Sequence, residues 1–342
     1  MFLYWTGYSD SLLKEMEYKI LSSLKTPYKG FYVSIVLDGI EEKIWTIALN
    51  TESSNTPLVL LHGFAAGLGL WSLNLDALSK YRAVYAIDIL GFGRSSRTKF
   101  SNNAVDNEKK IINSIEKWRQ HLNLDKFFLL GHSMGGYLAT SYTLSYPESV
   151  KLLILCDTWG FTDRFDVPPL WIKILTFFFN LTKFNPLAYL RWIGPYLGPL
   201  YIRTIRDDII KHFKDFVPNY LYILSNYLYQ CNANPNSTGE TAFYSFVDGI
   251  GWAKYPMVKR IHNLKPEIPM KILYGSDTWM DKDIGPRIKK MRTESFVDVE
   301  VDIILFVSLL VMLKNVISGI YLRIVLEIAW LVKQSDAVKQ LQ

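Results

Sequence analysis

The chain has 342 residues, a formal net charge of +6 at pH 7, 49% hydrophobic residues and 20% charged residues. This balance is typical of a globular protein with a large core, and it excludes a disordered chain, a collagen and a disulfide-rich scaffold. The two cysteines, Cys156 and Cys231, favour a reducing compartment. The length fits one large α/β domain that carries an insertion.

The composition also limits the classes of molecule that the protein is expected to bind. A positive net charge permits contact with an anionic membrane or a nucleic acid. The basic residues are scattered, however, and no nucleic-acid motif is present, so no nucleic acid is expected as a partner. Aromatic residues make up 15% of the chain, which suits a protein that handles an apolar ligand. The first residues, MFLYWTGYSD, do not have the pattern of a secretory signal.

A helix with one apolar stripe is predicted over Asp10–Lys25, before the first strand. Beyond it, short apolar runs alternate with longer stretches of helical periodicity, which predicts a mainly parallel sheet covered by helices. The predicted strands are Phe31–Leu37, Lys43–Leu49, Pro57–His62, Ala83–Asp88, Lys126–Gly131, Lys151–Cys156 and Pro269–Tyr274. The helices predicted between them are Leu70–Lys80, Asn107–Asn123 and Met134–Tyr146.

This alternation stops after Asp157. The interval before the strand at Pro269 is far longer than an ordinary connection, and it is helical in character and rich in aromatic residues such as Phe177–Phe179. Because ligands of open α/β sheets bind at the carboxyl ends of the strands, the interval predicts a lid over an apolar substrate site. The alternative is an additional core filled with aromatic residues.

A G-x-S-x-G motif, sequence GHSMGG, lies at Gly131–Gly136 after the fifth predicted strand. Between a strand and a helix, this motif places a serine on a strained turn, and its glycines Gly131 and Gly135 allow the backbones to approach closely. The helix that begins at Met134 favours negative charge near the serine. The sequence therefore predicts that Ser133 is a nucleophile.

Two further segments fit a site for acyl transfer. The strand Pro57–His62 runs into His62 and Gly63, where a backbone N–H can face the reacting carbonyl. Together with the N–H of Met134 it would form an oxyanion hole. The segment Ala86–Ser95, a strand end followed by a glycine turn, is interpreted as part of the scaffold.

A hydrolase of this type also needs an acid after a later strand, to orient a histidine. The segment Gly275–Asp281 follows the last predicted strand and offers Asp277 and Asp281, and Asp157 is a third candidate. Each of them could instead stabilise a turn, which is the usual role of a loop aspartate.

Six motifs occur in one order along the chain. They are His62–Phe64, Asp88–Ser96, Gly131–Gly136, Asp157–Phe161, Cys231–Phe243 and Tyr274–Trp279. Together they closely resemble the α/β-hydrolase-domain phospholipases that remove acyl chains from N-acyl phosphatidylethanolamine and lysophospholipids. The same branch contains the lipid-droplet co-activator of adipose triglyceride lipase, which has asparagine in place of the nucleophilic serine. The resemblance runs from about Trp5 to about Val301, and Ser133 places this chain on the catalytic side.

The resemblance implies an α/β-hydrolase fold, a mainly parallel sheet with a helical lid inserted after the sixth strand. Ser133 would be the nucleophile and Asp281 the acid of a catalytic triad. Phe64 and Met134 would supply the N–H groups of the oxyanion hole. The structural residues of the motifs would be His62, Gly63, Gly131, His132 and Gly135. No metal and no cofactor is expected, and Trp5 is a weak match to the tryptophans with which relatives contact lipid.

The C-terminal part departs from this family, whose members carry a Gly-x-x-His-x-x-x-x-Asp loop with the histidine as general base. The five histidines of this chain are His62, His121, His132, His212 and His262. None follows Asp281, and Val307 lies at about the position of the base. Without an imidazole to take its proton a serine hydroxyl is a poor nucleophile, so the activity of this chain is expected to be impaired.

The tail at 302–342 is apolar and atypical of the family. Its run Ile303–Leu313 is shorter than the ~20 residues that a membrane span needs, and extending it takes in charged residues. We interpret the abrupt end of the resemblance as a divergent splice form or a misread exon end.

Four parts are therefore predicted: an N-terminal helix and lipid-contact segment at 1–30, an α/β-hydrolase core at 31–158 and 266–301, a helical lid at 159–265, and the tail. The predicted function is hydrolysis of acyl esters of N-acyl or lyso glycerophospholipids through an acyl-enzyme on Ser133. The alternatives are a non-catalytic lipid-surface or lipase co-activator protein, and a lysophosphatidic acid acyltransferase.

The expected partners are a phospholipid or lysophospholipid substrate, a membrane or lipid-droplet surface, and a lipase or droplet-coat protein. The expected location is cytoplasmic, peripheral on intracellular membranes or lipid droplets.

Overall fold

The computed structural model describes residues 7–163, 185–249, 251–275, 278 and 280–302. These residues include the serine motif, all five histidines and both cysteines. The predictions that concern Trp5, Phe177–Phe179, Asp277 and the tail from 303 onward, with Val307, lie outside the described residues.

An eight-stranded sheet forms the centre of the protein. Its strands are β1 (Tyr28–Leu37), β2 (Ile40–Leu49), β3 (Leu58–Leu61), β4 (Val84–Ile87), β5 (Phe127–His132), β6 (Val150–Cys156), β9 (Met270–Gly275) and β10 (Val297–Asp302). The order is β1-β2-β4-β3-β5-β6-β9-β10. Strand β2 pairs antiparallel with β1 and β4, and the other pairs are parallel. A separate ribbon joins β7 (Val247–Asp248) and β8 (Trp252–Ala253).

Helices cover this sheet and fill the interval between β6 and β9. The α-helices of the described residues are α1 (Asp10–Leu21), α2 (Ser72–Leu78), α3 (Ala104–His121), α4 (Met134–Ser145), α5 (Pro186–Ile205), α6 (Asp207–Ile210), α7 (Tyr220–Ala233), α8 (Thr238–Phe246) and α9 (Ile284–Met291). Helices α5 to α8 form the insertion, which follows the sixth strand as predicted.

The predicted fold class is confirmed, and so is each of the seven predicted strands. Strand β10 was not predicted, because its sequence VDVEVD alternates apolar residues with acids and lacks a continuous apolar run. These acids form ion pairs with the neighbouring strand. Asp298 and Glu300 lie 3.0 Å and 2.9 Å from the Nζ atom of the buried Lys271 in β9.

The two faces of the sheet have separate apolar cores, because successive side chains of a strand point to opposite faces. In the central strand β3, Val59 and Leu61 belong to the core under α3 and α4. Leu58 and Leu60 belong to the core of the other face. The sheet is therefore buried on both sides, as parallel sheets are.

A third apolar cluster joins the insertion to the N-terminal part of the chain. Helix α7 of the insertion packs against α1, and Met16 and Ile20 of α1 belong to the same cluster as Leu224 and Tyr227 of α7. Helix α5 bends at Gly194. Among the described residues, no helix is both long enough and apolar enough to cross a membrane.

Candidate active site

Ser133 lies at the turn between β5 and α4. The strand ends at His132 and the helix begins at Met134, so one residue makes the turn. Ser133 has φ 53° and ψ −120°, a strained backbone conformation for a residue other than glycine. Its amide donates to the carbonyl of Cys156 at 3.0 Å, and its carbonyl accepts from the amide of Trp159 at 3.3 Å. These bonds hold the strained serine against the end of β6.

Gly131 and Gly135 are required by the close approach of the backbones around this turn. A Cβ atom on Gly131 would lie 2.3 Å from the carbonyl oxygen of Gly135, and a Cβ atom on Gly135 would lie 2.3 Å from the carbonyl oxygen of Leu61. Both contacts are with backbone atoms, so a larger residue at either position would push α4 away from the sheet.

The loop after β3 lies directly against the serine. A Cβ atom on Gly63 would come within 2.9 Å of His132 Nδ1 and 3.2 Å of Ser133 Cβ. The next residue, Phe64, stacks on Phe243 of α8 with 4.0 Å between the ring centroids. Residues 63 and 64 are therefore held beside Ser133 by the sheet on one end and by the insertion on the other.

Two amides near Ser133 are available for a ligand. In the part of the chain that the structure describes, the N–H groups of Phe64 and Met134 have no hydrogen-bond acceptor. Met134 is the first residue of α4, and the N–H groups of a helix start favour negative charge. Both amides are free to donate to an oxyanion formed at Ser133.

His62 is a buried structural residue. Its Nε2 atom accepts the amide of Ile89 at 3.0 Å, so its Nδ1 atom carries the proton and donates to the carbonyl of Gly63 at 2.8 Å. Burial lowers the pKa of His62. The ring is therefore neutral, and both of its nitrogens are occupied, so it cannot accept the proton of the serine.

The remaining histidines lie in different places, and His212 belongs to the short 3-10 helix Lys211–Phe213. Burial lowers the pKa of His132 to about 3. His121 ends α3 and His262 lies in the short 3-10 helix Ile261–Asn263, and both are exposed on the surface. Across the residues that the structure covers, no histidine is hydrogen-bonded to the Oγ atom of Ser133, and the ring nitrogens of His62 have other partners.

Asp157 and Asp281 have different environments. Asp157 is buried at the end of β6, where its Oδ1 atom accepts the amide of Gly275 at 2.9 Å. Burial raises the pKa of Asp157. Asp281 is exposed, and its carboxylate accepts the amide of Asp283 at 3.0 Å. Asp157 therefore joins β6 to β9, whereas the carboxylate of Asp281 is open to solvent.

The described residues contain no group of three or more His, Cys, Asp or Glu side chains that could hold a metal ion. Both cysteines are free and buried. Burial raises the pKa of Cys156 and of Cys231 well above the ordinary value. Both thiols are therefore protonated and unreactive.

The chain beyond β4 braces the loop beside the serine. The Oδ1 atom of the buried Asp88 accepts the amide of Leu68 at 2.7 Å, and its Oδ2 atom accepts the amide of Arg94 at 2.7 Å. The hydroxyl of Ser95 donates to the carbonyl of Asp88 at 2.6 Å. These contacts agree with the interpretation of Ala86–Ser95 as part of the scaffold.

A partly buried ion pair near the site was not predicted from the sequence. Glu108 of α3 lies 2.6 Å from the guanidinium of Arg260, and the hydroxyls of Tyr137 and Ser141 in α4 donate to the same carboxylate. This network ties the helix that follows the serine to the chain beyond the insertion. Glu108 and Arg260 are 152 positions apart, so no local pattern links them.

The motif Cys231–Phe243 fastens the insertion to the core, a role that the sequence did not reveal. The side-chain amide of Asn232 donates to the carbonyl of Ala65 at 2.9 Å, and the amide of Gly239 donates to the carbonyl of Gly91 at 3.2 Å. The insertion is thus anchored to the loops after β3 and β4, next to Ser133.

Comparison with known proteins agrees with this geometry. The α/β hydrolase fold family matches residues 56–201. The (lyso)-N-acylphosphatidylethanolamine lipase of Homo sapiens is 42% identical over 301 residues, which are 86% of this chain and 85% of that protein. A 1-acylglycerol-3-phosphate O-acyltransferase of Mus musculus is 43% identical over 296 residues, which are 84% of this chain and 82% of that protein.

The chain belongs to this α/β hydrolase family. This family includes ester hydrolases of the phospholipase type, such as the human lipase. Solved structures share its fold. Carboxylesterase CesB from Bacillus subtilis covers 91% of this chain and 95% of its own with a TM-score of 0.62 and 16% identity. A bacterial membrane phospholipase A covers 85% of this chain and 82% of its own with a TM-score of 0.54 and 19% identity.

Proposed function

We propose that the chain is a serine hydrolase for acyl esters of N-acyl or lyso glycerophospholipids. We also propose that it acts slowly, because it lacks the histidine that serves as general base in the family. One observation carries the hydrolase assignment: Ser133 is held at φ 53° on the turn between β5 and α4, beside two free amides. Strained backbone conformations of this kind cluster at functional sites. The two relatives named above, a lipase and an acyltransferase of acylated lipids, support the substrate class.

The proposed reaction has two steps. Ser133 Oγ attacks the ester carbonyl, and the negative charge that forms on the carbonyl oxygen is stabilised by the N–H groups of Phe64 and Met134. The bond to the glycerol oxygen breaks, that oxygen takes up a proton, and the acyl group remains on Ser133. Water then attacks the acyl-enzyme and releases a fatty acid.

The weak step in this chain is removal of the serine proton. In the family pattern, Asp281 would orient a histidine that takes this proton, and this chain has no histidine after Asp281. His62 and His132 do not replace it, because the first has both nitrogens bonded and the second has a pKa of about 3. We therefore expect turnover several orders of magnitude below that of a complete triad.

The experiment that tests the hydrolase proposal is labelling of the full chain with a fluorophosphonate, followed by peptide mapping. Slow labelling of Ser133, lost in Ser133→Ala and kept in the matched variant Ser145→Ala, is the expected result. Folded protein that gives no label at Ser133 overturns the proposal. Lysophospholipid hydrolysis by the same samples, with and without acyl-CoA, separates a hydrolase from an acyltransferase.

A non-catalytic lipid-surface protein is the second candidate function. It is favoured because, among the described residues, no imidazole is hydrogen-bonded to the Oγ atom of Ser133. In that case Ser133→Ala leaves the activity of a partner lipase at a lipid surface unchanged. A hydrolase, in contrast, loses its activity in this variant.

We also propose that the protein contacts a phospholipid surface through α5. The outward residues of this helix are apolar: Trp192, Tyr196 and Leu197 are 61%, 83% and 59% exposed. The helix contains two arginines and no acid, so it does not repel an anionic membrane. Tryptophan and tyrosine are the residues that favour the boundary between lipid and water.

A further inference from the structure

The loop after β3 carries the amide of Phe64, and both ends of this loop are fixed to the core. At its beginning the carbonyl of Gly63 accepts from His62 Nδ1 at 2.8 Å. At its end the amide of Leu68 donates to the carboxylate of Asp88 at 2.7 Å. Neither contact involves Phe64 or the residue after it. The position of the Phe64 amide therefore depends on contacts in the middle of the loop.

Ala65, the residue after Phe64, has a strained backbone. Its φ is 57°, in the left-handed region that favours glycine. This conformation costs free energy for a residue with a Cβ atom, and it persists only where surrounding contacts enforce it. A rotation at Ala65 turns the adjoining peptide units and so moves the backbone of Phe64. The direction of the Phe64 N–H therefore depends on what holds Ala65.

A side chain of the insertion holds Ala65 in this conformation. Asn232, near the end of α7, is 9% exposed, and its Nδ2 atom donates to the carbonyl of Ala65 at 2.9 Å. Within the described part of the chain, this is the one hydrogen bond made by backbone atoms of Phe64 or Ala65. The ring of Phe64 also stacks on Phe243, but a ring turns about its side-chain bonds and does not fix the peptide plane.

The amide of Asn232 has the donors that this contact requires. An asparagine side chain has two N–H donors, and Nδ2 also donates to the carbonyl of Leu228 at 2.8 Å, one turn earlier in α7. The two carbonyls therefore fix the orientation of the side chain.

The end of α7 that carries Asn232 is itself fixed within the insertion. The backbone carbonyl of Asn232 accepts from the guanidinium of Arg191 in α5 at 3.0 Å. The same guanidinium forms an ion pair with Glu240 of α8 at 2.8 Å. Three helices of the insertion thus meet at the residue that reaches the loop beside Ser133.

We infer that Asn232 is a positioning residue: by holding the carbonyl of Ala65, it keeps the Phe64 amide in place beside Ser133. A residue of the insertion thereby sets the geometry of an oxyanion donor in the core, and it acts through the loop. The use of this amide for an oxyanion rests on the proposed function, whereas the hold of Asn232 on the loop does not.

The test compares two substitutions on α7 in the full chain. Asn232→Ser removes the bond to Ala65, and because a serine in a helix can donate to the carbonyl four residues earlier, it can keep the bond to Leu228. Asn232→Thr makes the same change and replaces it where Asn232→Ser does not fold. Thermal unfolding establishes which variants are folded.

The matched control is Gln230→Ser, on the same helix. Gln230 is 1% exposed, donates to the carbonyl of Gly7 at 3.1 Å and accepts the amide of Ser9 at 3.0 Å. It therefore joins α7 to a distant segment by the same kind of bond as Asn232, but this segment is not the loop of Phe64. Gln230→Ser lowers stability without a change in that loop.

The first measurement needs no turnover. Protein labelled with 15N in phenylalanine and 13C in the glycine carbonyl gives NMR signals from the four Gly-Phe pairs of the chain, and Phe64→Leu identifies the signal of Phe64. We expect this signal to shift in Asn232→Ser and to keep its position in Gln230→Ser. A Phe64 signal that is unchanged in folded Asn232→Ser, or that shifts equally in the control, overturns the inference.

The second measurement is the rate at which a fluorophosphonate labels Ser133. Asn232→Ser is expected to lower this rate by about tenfold or more, because a displaced donor no longer stabilises the charge that forms on oxygen. Gln230→Ser should keep the rate of the parent chain. Equal rates in all three proteins overturn the role of Asn232 in the reaction. A parent chain without label at Ser133 contradicts the proposed hydrolase instead, and the Phe64 signal then decides alone whether Asn232 holds the loop.

Discussion

The carbonyl oxygen of Leu61, at the end of β3, lies so close to Gly135 that a Cβ atom on Gly135 would be 2.3 Å from it. This contact joins the first turn of α4 to the strand that leads into the loop of Gly63 and Phe64. The serine and one of the two free amides are thereby brought together by a single backbone approach. The geometry of the site thus depends on Gly135, a residue without a reactive side chain.

Gly135→Ala is therefore expected to lower the free energy of unfolding by about 3 kcal/mol, because neither backbone can yield without separating α4 from β3. Urea unfolding measures this loss. Gly39→Ala is the control: its added Cβ meets nothing within 4 Å and its φ is +77°, so only the backbone conformation costs energy, about 1 kcal/mol. Equal losses in the two variants would contradict the close approach.

Substitutions of Asp157 and Asp281 are expected to lower the free energy of unfolding by different amounts. Asp157→Ala leaves the buried amide of Gly275 without its acceptor and costs about 1–3 kcal/mol. Asp281→Ala, at an exposed position, costs less than about 0.5 kcal/mol. Thermal unfolding of both variants checks this difference. A large loss in Asp281→Ala would show that its carboxylate braces the fold and is not free for a triad.

The sequence was sufficient to predict the parts of the fold that depend on neighbouring residues in the chain. A continuous apolar run such as Lys151–Cys156 identifies a buried strand, and the GHSMGG motif identifies the turn at Ser133. The parts it could not predict depend on contacts between distant residues. The ion pair of Glu108 and Arg260 forms only when the chain beyond the insertion returns to α3.

The assignment of the acid shows the same limit. From the sequence, Asp157 and Asp281 are both aspartates in loops after strands, and nothing local separates them. Burial separates them in the structure, since Asp157 is enclosed between β6 and β9 and Asp281 is exposed. The absence of a histidine after Asp281, by contrast, is evident from the sequence alone, because a count of histidines requires no fold.

Removal of Arg260 is expected to leave the carboxylate of Glu108 buried and uncompensated. Arg260→Met should cost about 3 kcal/mol, and adding Glu108→Gln should recover part of it. Urea unfolding of the single and double variants measures this coupling. Lys265→Met breaks an exposed pair with Glu148 and is expected to have no measurable effect. Additive losses in the double variant would show that the pair does not interact.

Contact of α5 with a phospholipid surface predicts a loss of vesicle binding in Tyr196→Ser combined with Leu197→Ser. Both side chains are exposed, so the fold is unaffected while apolar area available to lipid is lost, and affinity should fall about tenfold. Flotation with vesicles that contain phosphatidylserine measures this change. The control is Val36→Ser combined with Ile40→Ser, two apolar residues of β1 and β2 that are each 59% exposed. Equal loss in the two double variants would contradict the assignment to α5.

Glu17 is expected to make stability depend on pH. Burial, together with the nearby charge of Asp88, raises the pKa of Glu17 from 4.5 to about 8, although Arg94 opposes the shift. Between these two pH values the folded chain retains a proton that the unfolded chain has lost, so stability falls as pH rises through this window. The contribution is complete below about pH 4.5 and is lost above about pH 8.

Glu17→Gln removes the titration and keeps an oxygen that can accept from Trp45 and Arg94, which lie 2.9 Å and 2.7 Å from the Oε1 atom of Glu17. Urea unfolding between about pH 5 and about pH 8 should therefore give a flatter pH dependence in this variant than in the parent chain. Glu15→Gln, an exposed position on the same helix, should keep the slope of the parent. Parallel pH profiles for Glu17→Gln and the parent chain would show that the carboxyl of Glu17 is already ionised throughout this range, held charged by the guanidinium of Arg94.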